Sequence, residues 1–149
     1  MNLWPPFLAS GIRVLEISED WREARVVLRN RWYNRNYVGV HFGGNLFSMT
    51  DPFWMLLIRE CLGKDYVVWD SAAEIRFIAP GRSEVFAHFK VTDEILDEIR
   101  AATADGDKHL RWFDIPVDTA DGQAIAHVRK QLYVRRKRST PPDTSPDPG

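Results

Sequence analysis

Cysteine is nearly absent from this chain: Cys61 is the only one in 149 residues. No disulfide can form within it, and a reducing compartment is the simpler expectation. Long apolar runs are missing as well. None approaches the ~20 residues a membrane-spanning helix needs, so no membrane partner is expected. The N-terminal "MNLWPPFLASG" has no basic region ahead of its short apolar piece. That argues against a signal peptide and makes a cytoplasmic protein the expectation. Neither sign of charge dominates: 20 Lys+Arg against 21 Asp+Glu leave a net charge of −1. This removes the electrostatic reason to expect nucleic acid as the main partner. Histidines 41, 88, 109 and 127 are scattered, without the spacing of a metal site. "HFGGNLF" lacks the third glycine and the lysine of nucleotide-binding loops.

What is present is ordinary in bulk, with 44% hydrophobic and 28% charged residues. The length suits one domain that buries about two-thirds of its unfolded surface. Six tryptophans and eight phenylalanines call for a large core, an interface or an apolar pocket. The closing "STPPDTSPDPG" holds four prolines and no large apolar side chain. It cannot bury enough surface to offset its ordering, so residues 139–149 are expected to form a disordered tail behind a domain at 1–138. Ahead of it stands the basic cluster Arg135–Arg138, either a solvated strand end or a contact for phosphate groups.

Period-2 alternation recurs along the chain. "REARVVLRN", "SAAEIRFIAPG", "SEVFAHFKV", "HLRWFDIPV" and "QAIAHVRKQLYV" read as strands, and "IRVLEIS" as a weaker one. Asp121-Gly122 marks a tight turn between the last two. In the final strand Ala124, Ala126, Val128, Leu132 and Val134 share one face, with Lys130 interrupting it. Short connections make most pairings antiparallel. "TDEILDEIRAATADG" reads as a short surface helix capped by Thr92 or Asp93. "PFWMLLIRECLG" is apolar nearly all round, which predicts a buried helix stopped by Gly63. The fold class is therefore α+β: about six antiparallel strands curled around one long central helix.

The densest chemistry lies in "NRNYVGVHFGGNLFSMTDP", Asn34 to Pro52. Each residue has a structural explanation. Asn34 and Asn36 suit turns, Gly43-Gly44 a bend, and His41 a strand end. Asp51 before Pro52 is the pattern of an N-cap with proline in the first turn. If the helix instead starts near Gly43, Pro52 lies inside it and kinks it, at a cost of ~3 kcal/mol. Taken together, the same residues suit thioester chemistry. Amides of a glycine pair at a helix start can hold an oxyanion. Asp51 can act as general base or nucleophile, and Asn36 can orient the water or the carbonyl.

The spacing Asn36-x-x-Gly39-x-x-x-Gly43-Gly44, then Asp51, a buried helix and "IRFIAPG", resembles the hotdog-fold thioesterases. The pattern is most similar to the phenylacetate-pathway and 4-hydroxybenzoyl-CoA thioesterase-like groups, in a largely uncharacterised branch. "GIRVLEIS" and "VRKQLYVRRK" extend the resemblance over roughly residues 10–137. It implies a curved sheet around a helix that runs from the glycines through the acid. It also implies a homodimer or homotetramer whose subunits share the site. Asn36, Gly43, Gly44 and Asp51 then surround the thioester carbonyl. Where relatives often carry His before the glycine pair this chain has Phe42, and His41 is the nearby candidate. A position that often holds Ser or Thr falls on Asp70, beside Ser71. Asn34, Phe42, Asp70, Ser71 and Arg82 are the candidate substrate-binding residues. The expected substrate is an acyl-CoA or acyl-carrier-protein thioester, with no cofactor beyond the CoA it carries and no metal. The alternatives are a non-catalytic binder of the same ligands, a hydratase using His41 and an acid, and, most distantly, nucleic-acid binding through Arg135–Arg138.

Overall fold

The computed structural model describes residues 1–137. Arg138 and the expected tail at 139–149 lie outside the described residues. Six strands form one antiparallel sheet: β1 (Ile12–Ile17), β2 (Glu23–Leu28), β3 (Tyr66–Phe77), β4 (Val85–Lys90), β5 (Lys108–Thr119) and β6 (Ala124–Arg136), in the spatial order β1-β2-β4-β5-β6-β3. Alternation supplies each strand with one inward row. In β6 that row is Ala126, Val128, Lys130, Leu132 and Val134, every one of them buried. Lys130 does not interrupt the pattern; it obeys it.

Strand β3 begins five residues earlier than its alternation suggests, because β6 offers partners from Tyr66↔Arg136 to Phe77↔Ala126. It ends where Ala79-Pro80 approaches, after Ile78 and Ala79 both donate to the Ile125 carbonyl. A bulge between Asp70 and Ala72 leaves Asp70 opposite Leu132 and Ala73 opposite Lys130. The shift puts Asp70 on the inward side with Lys130.

Four helices complete the described residues: α1 (Pro5–Ser10), α2 (Gly43–Ser48), α3 (Phe53–Leu62) and α4 (Asp93–Ala102). Thr92 caps α4, its side chain accepting from the Ile95 amide at 3.4 Å. The N-terminal α1 escapes the periodicity argument because it is a single Pro-led turn and a half, held by the buried Phe7. Tilted aromatic pairs tie the helices to the sheet. Phe53 lies 5.0 Å from Phe89, and Trp54 lies 4.5 Å from Phe113, centroid to centroid. Phe53, Trp54, Leu57 and Ile58 are buried, whereas Met55 and Leu56 are half-buried, so α3 has one covered face rather than cover all round.

The single long central helix gives way to two helices, α2 and α3, with Met49–Pro52 turning between them. Proline has no amide hydrogen to give the Ser48 carbonyl. That carbonyl accepts from Asp51 instead, at 3.3 Å, and Thr50 donates to Phe47 at 3.0 Å. These tighter bonds close α2, and Pro52 takes the N-cap position of α3. Neither sequence alternative describes this arrangement. A helix does start at Gly43, and another starts just after Pro52.

Candidate active site

The break between α2 and α3 frees Asp51 from capping, and its carboxylate turns to the sheet. Lys130 Nζ donates to Asp51 Oδ1 at 2.7 Å and lies 3.1 Å from Asp70 Oδ2. The Lys130 side chain is 2% exposed, against 49% for Asp51 and 34% for Asp70. Its remaining side faces the Phe47 ring, 5.6 Å from the centroid. A buried ammonium is costly unless paired, and here two carboxylates pair it. Burial pushes the Asp70 carboxyl above its ordinary 3.8, and Asp51 adds to the rise, while Lys130 pulls it down. This constellation joins two predicted site residues, Asp51 and Asp70, through one the sequence reading passed over. Its signal was available: a lysine at an inward position between Val128 and Leu132 requires a buried counter-charge.

Asn36, His41 and Gly43 gather at the opposite end of α2. A cleft of 430 Å³ is lined by Asn36, Val40, His41, Gly43, Leu46 and Phe77 through Gly81. Its walls are mostly apolar, while Trp54 packs in the core. Trp69 stacks on Tyr133 and Trp112 lies beneath Arg129, so none of these three tryptophans lines this cleft. The amides of Gly43 and Gly44 start α2 and donate to no carbonyl or side chain among the described residues, as expected of a first helical turn. A Cβ on Gly43 would come within 2.8 Å of the Phe77 ring. The Phe42 ring covers Gly44, where a Cβ would meet it at 2.4 Å.

His41 forms part of the cleft wall and is 3% exposed. Its main chain bonds to Gly81, and its Nε2 lies 2.6 Å from the Ser83 carbonyl. A carbonyl only accepts, so Nε2 carries the proton and Nδ1 the lone pair, buried and without a partner. Burial lowers the imidazole below its ordinary 6.5, against the opposing pull of the Ser83 carbonyl. Asn36 builds the loop beside it. Its Oδ1 accepts from Val38 and Val40, both at 3.1 Å, and its Nδ2 reaches the His41 carbonyl at 3.4 Å.

The remaining candidates stand apart. Asn34 is buried and fully engaged: it accepts from Arg31 and donates to Ser10 and Arg29. That makes it a knot between the end of α1 and the loop after β2, with no side-chain polar atom left for a ligand. Ser71 sits in the β3 bulge on the exposed sheet edge. Arg82 is exposed, and its carbonyl accepts from Asn30. Among the described residues, no three His, Cys, Asp or Glu side chains converge as a metal site would require. No helix there is long and apolar enough to cross a membrane.

The family described as a domain of unknown function (DUF4442) matches residues 1–134. No curated protein matches the chain. Solved structures do. A Pseudomonas aeruginosa protein of unknown function, named a probable thioesterase, superposes with a TM-score of 0.74 at 15% identity, over 85% of this chain and 84% of its own. A Haemophilus influenzae thioesterase gives 0.65 at 15% identity, covering 91% and 85%. The E. coli PaaI protein from the phenylacetic acid degradation operon gives 0.62 at 20% identity, covering 93% and 88%. At these identities the likeness is one of fold.

Proposed function

Because the chain belongs to the DUF4442 family and has the hotdog fold of the thioesterase-like superfamily, we propose that it hydrolyses an acyl thioester. The observation that carries this reading is the pair of unpartnered amides at Gly43 and Gly44, beside an apolar cleft large enough for an acyl group. Such donors stabilise the oxyanion that forms when water attacks a thioester carbonyl. Asp51 serves as the general base, taking the water proton. Asn36 has Nδ2 hydrogen-bonding capacity left to orient the carbonyl or the water. His41, neutral and anchored at Ser83, shapes the cleft wall. The departing thiolate leaves with the electron pair of the C–S bond and is then protonated.

The expected substrate is an acyl-CoA or acyl-carrier-protein thioester. Arg82 and the exposed Arg135–Arg136 end of β6 are the candidate contacts for its phosphates. Asp51 does not line the Gly43 cleft of its own chain, which supports a site shared by two copies. Strand β3 supports the same arrangement: it is a twelve-residue edge, exposed over most of its length, with Trp69 and Phe77 uncovered. Long apolar edges call for a partner strand, and a homodimer joined there supplies one.

A second reading, a non-catalytic binder of the same thioesters, draws support from the tight ion pair that engages Asp51. One experiment separates the two. Short, long and aromatic acyl-CoAs are assayed for release of free thiol, with the intact protein and with Asp51→Asn. A hydrolase shows turnover that falls by about 100-fold or more in the variant while acyl-CoA binding persists. Binding without turnover across the panel establishes the binder.

A further inference from the structure

The hydrolysis drawn above leaves Lys130 without a task, although it is the one buried lysine or arginine among the described residues. Its strand does not need it. Methionine or leucine at this inward position would continue the row from Val128 to Leu132 without the cost of burying a charge. What the ammonium does is reach the turn that Pro52 opens. There the half-exposed Asp51 carboxylate sits on an irregular backbone, outside either helix. Lys130 is itself fixed from other sides, by Asp70 on β3 and by the Phe47 ring on α2. Its β5 neighbour, Phe113, brings no charge. Two carboxylates and one ammonium leave the unit one negative charge in excess, so a single proton brings it to neutrality.

Resting on the thioesterase reading, we propose that Lys130 is a positioning residue. It aims the Asp51 carboxylate at the attacking water, and the Asp51–Lys130–Asp70 unit, rather than Asp51 alone, receives the proton. In that step one O–H bond of water breaks and its proton passes to a carboxylate of the unit. The oxygen bonds to the carbonyl carbon, and the C–S bond then breaks with its electron pair on sulfur. The stored proton ends on the thiolate, leaving acid, thiol and the unit restored.

The test measures thioester hydrolysis against pH for the full chain and for Lys130→Met. The expected result is a kcat about 100-fold lower with KM within about threefold, because alignment is lost and not substrate binding. The acidic limb of the kcat/KM profile should also move up, since the cation that pulls the Asp70 carboxyl down is gone. A folded Lys130→Met protein with kcat within about threefold of the parent and an unmoved limb would overturn the proposal. If Lys130→Met does not fold, the double variant Lys130→Met/Asp70→Asn is read against Asp70→Asn alone, under the same criteria. Hydrolysis that is insensitive to Lys130 sinks this role and leaves the thioesterase reading standing. Absence of hydrolysis in the parent sinks both. In that case carbon-13 titration of the Asp70 carboxyl still shows whether Lys130 governs the pair, through a rise of its midpoint in Lys130→Met.

Discussion

The two ends of helix α2 solve the problem of polarity inside a protein in opposite ways. At Gly43 the polar groups are backbone amides beside a neutral imidazole, in an apolar cleft. Past its C-terminal end, at Asp51, a full ammonium is buried between two carboxylates. The first end depends mainly on shape, with His41 the titratable group in its wall. The second depends on charge balance and on the pH that sets it. The hydrolysis proposed above would draw on both, a fixed dipole for the oxyanion and a base for the water, and within one copy the two groups lie apart.

The largest effect should come from leaving the cation alone. The double variant Asp51→Ala/Asp70→Ala strands Lys130 in the core and should lower stability by about 3–5 kcal/mol in urea unfolding at neutral pH. Lys130→Met should cost less, about 2 kcal/mol, because both carboxylates keep a path to water. If the order of these two is reversed, the ammonium is not the buried partner that matters. Next in size is the cleft end. Gly43→Val should push the Phe77 ring aside and occupy the mouth of the cleft, lowering kcat/KM by about tenfold or more with little change in melting temperature.

Smaller effects concern pH, and the two ends should respond with opposite sign. Folded His41 resists the proton that unfolded His41 accepts near 6.5, so stability should fall as pH drops below that value. His41→Gln should remove this slope and cost about 1 kcal/mol at pH 8 through the weakened Ser83 bond. Folded Asp70 holds its proton above 3.8, so its contribution is complete below that pH and is lost as pH rises through the raised value. Asp70→Asn should flatten that loss, read as urea midpoints between about pH 3 and 7, and this is the smallest change expected.

Much of the fold was legible because its signals are local. Alternation marked all six strands, Thr92 marked the start of α4, and Asp121-Gly122 marked the last hairpin. Pro52 was legible as a disturbance but not as a clean break, since its effect depends on which carbonyls its neighbours can satisfy. The site was half legible. Asn36, His41 and Gly43 do share one cleft, as their closeness in sequence suggested. Asn34 looked equivalent to Asn36, yet one is a sealed structural knot and the other faces the cleft. Nothing in residue type separates two asparagines two positions apart. Their partners, at Ser10 and Arg29 for one and at Val38 and Val40 for the other, do so.

The sequence by itself determined the strands, the apolar helix, the glycine pair and a disturbance at Pro52, because each follows from backbone sterics or from periodicity within a few residues. Only the tertiary structure decided what Asp51 touches. Its partner Lys130 lies 79 residues away in the chain. The β3–β6 register and the Asp70–Ala72 bulge set Asp70 beside Lys130, and the turn between α2 and α3 carries Asp51 to the same point. Burial then makes the meeting obligatory, since an ammonium out of water must find its carboxylates wherever the fold has placed them.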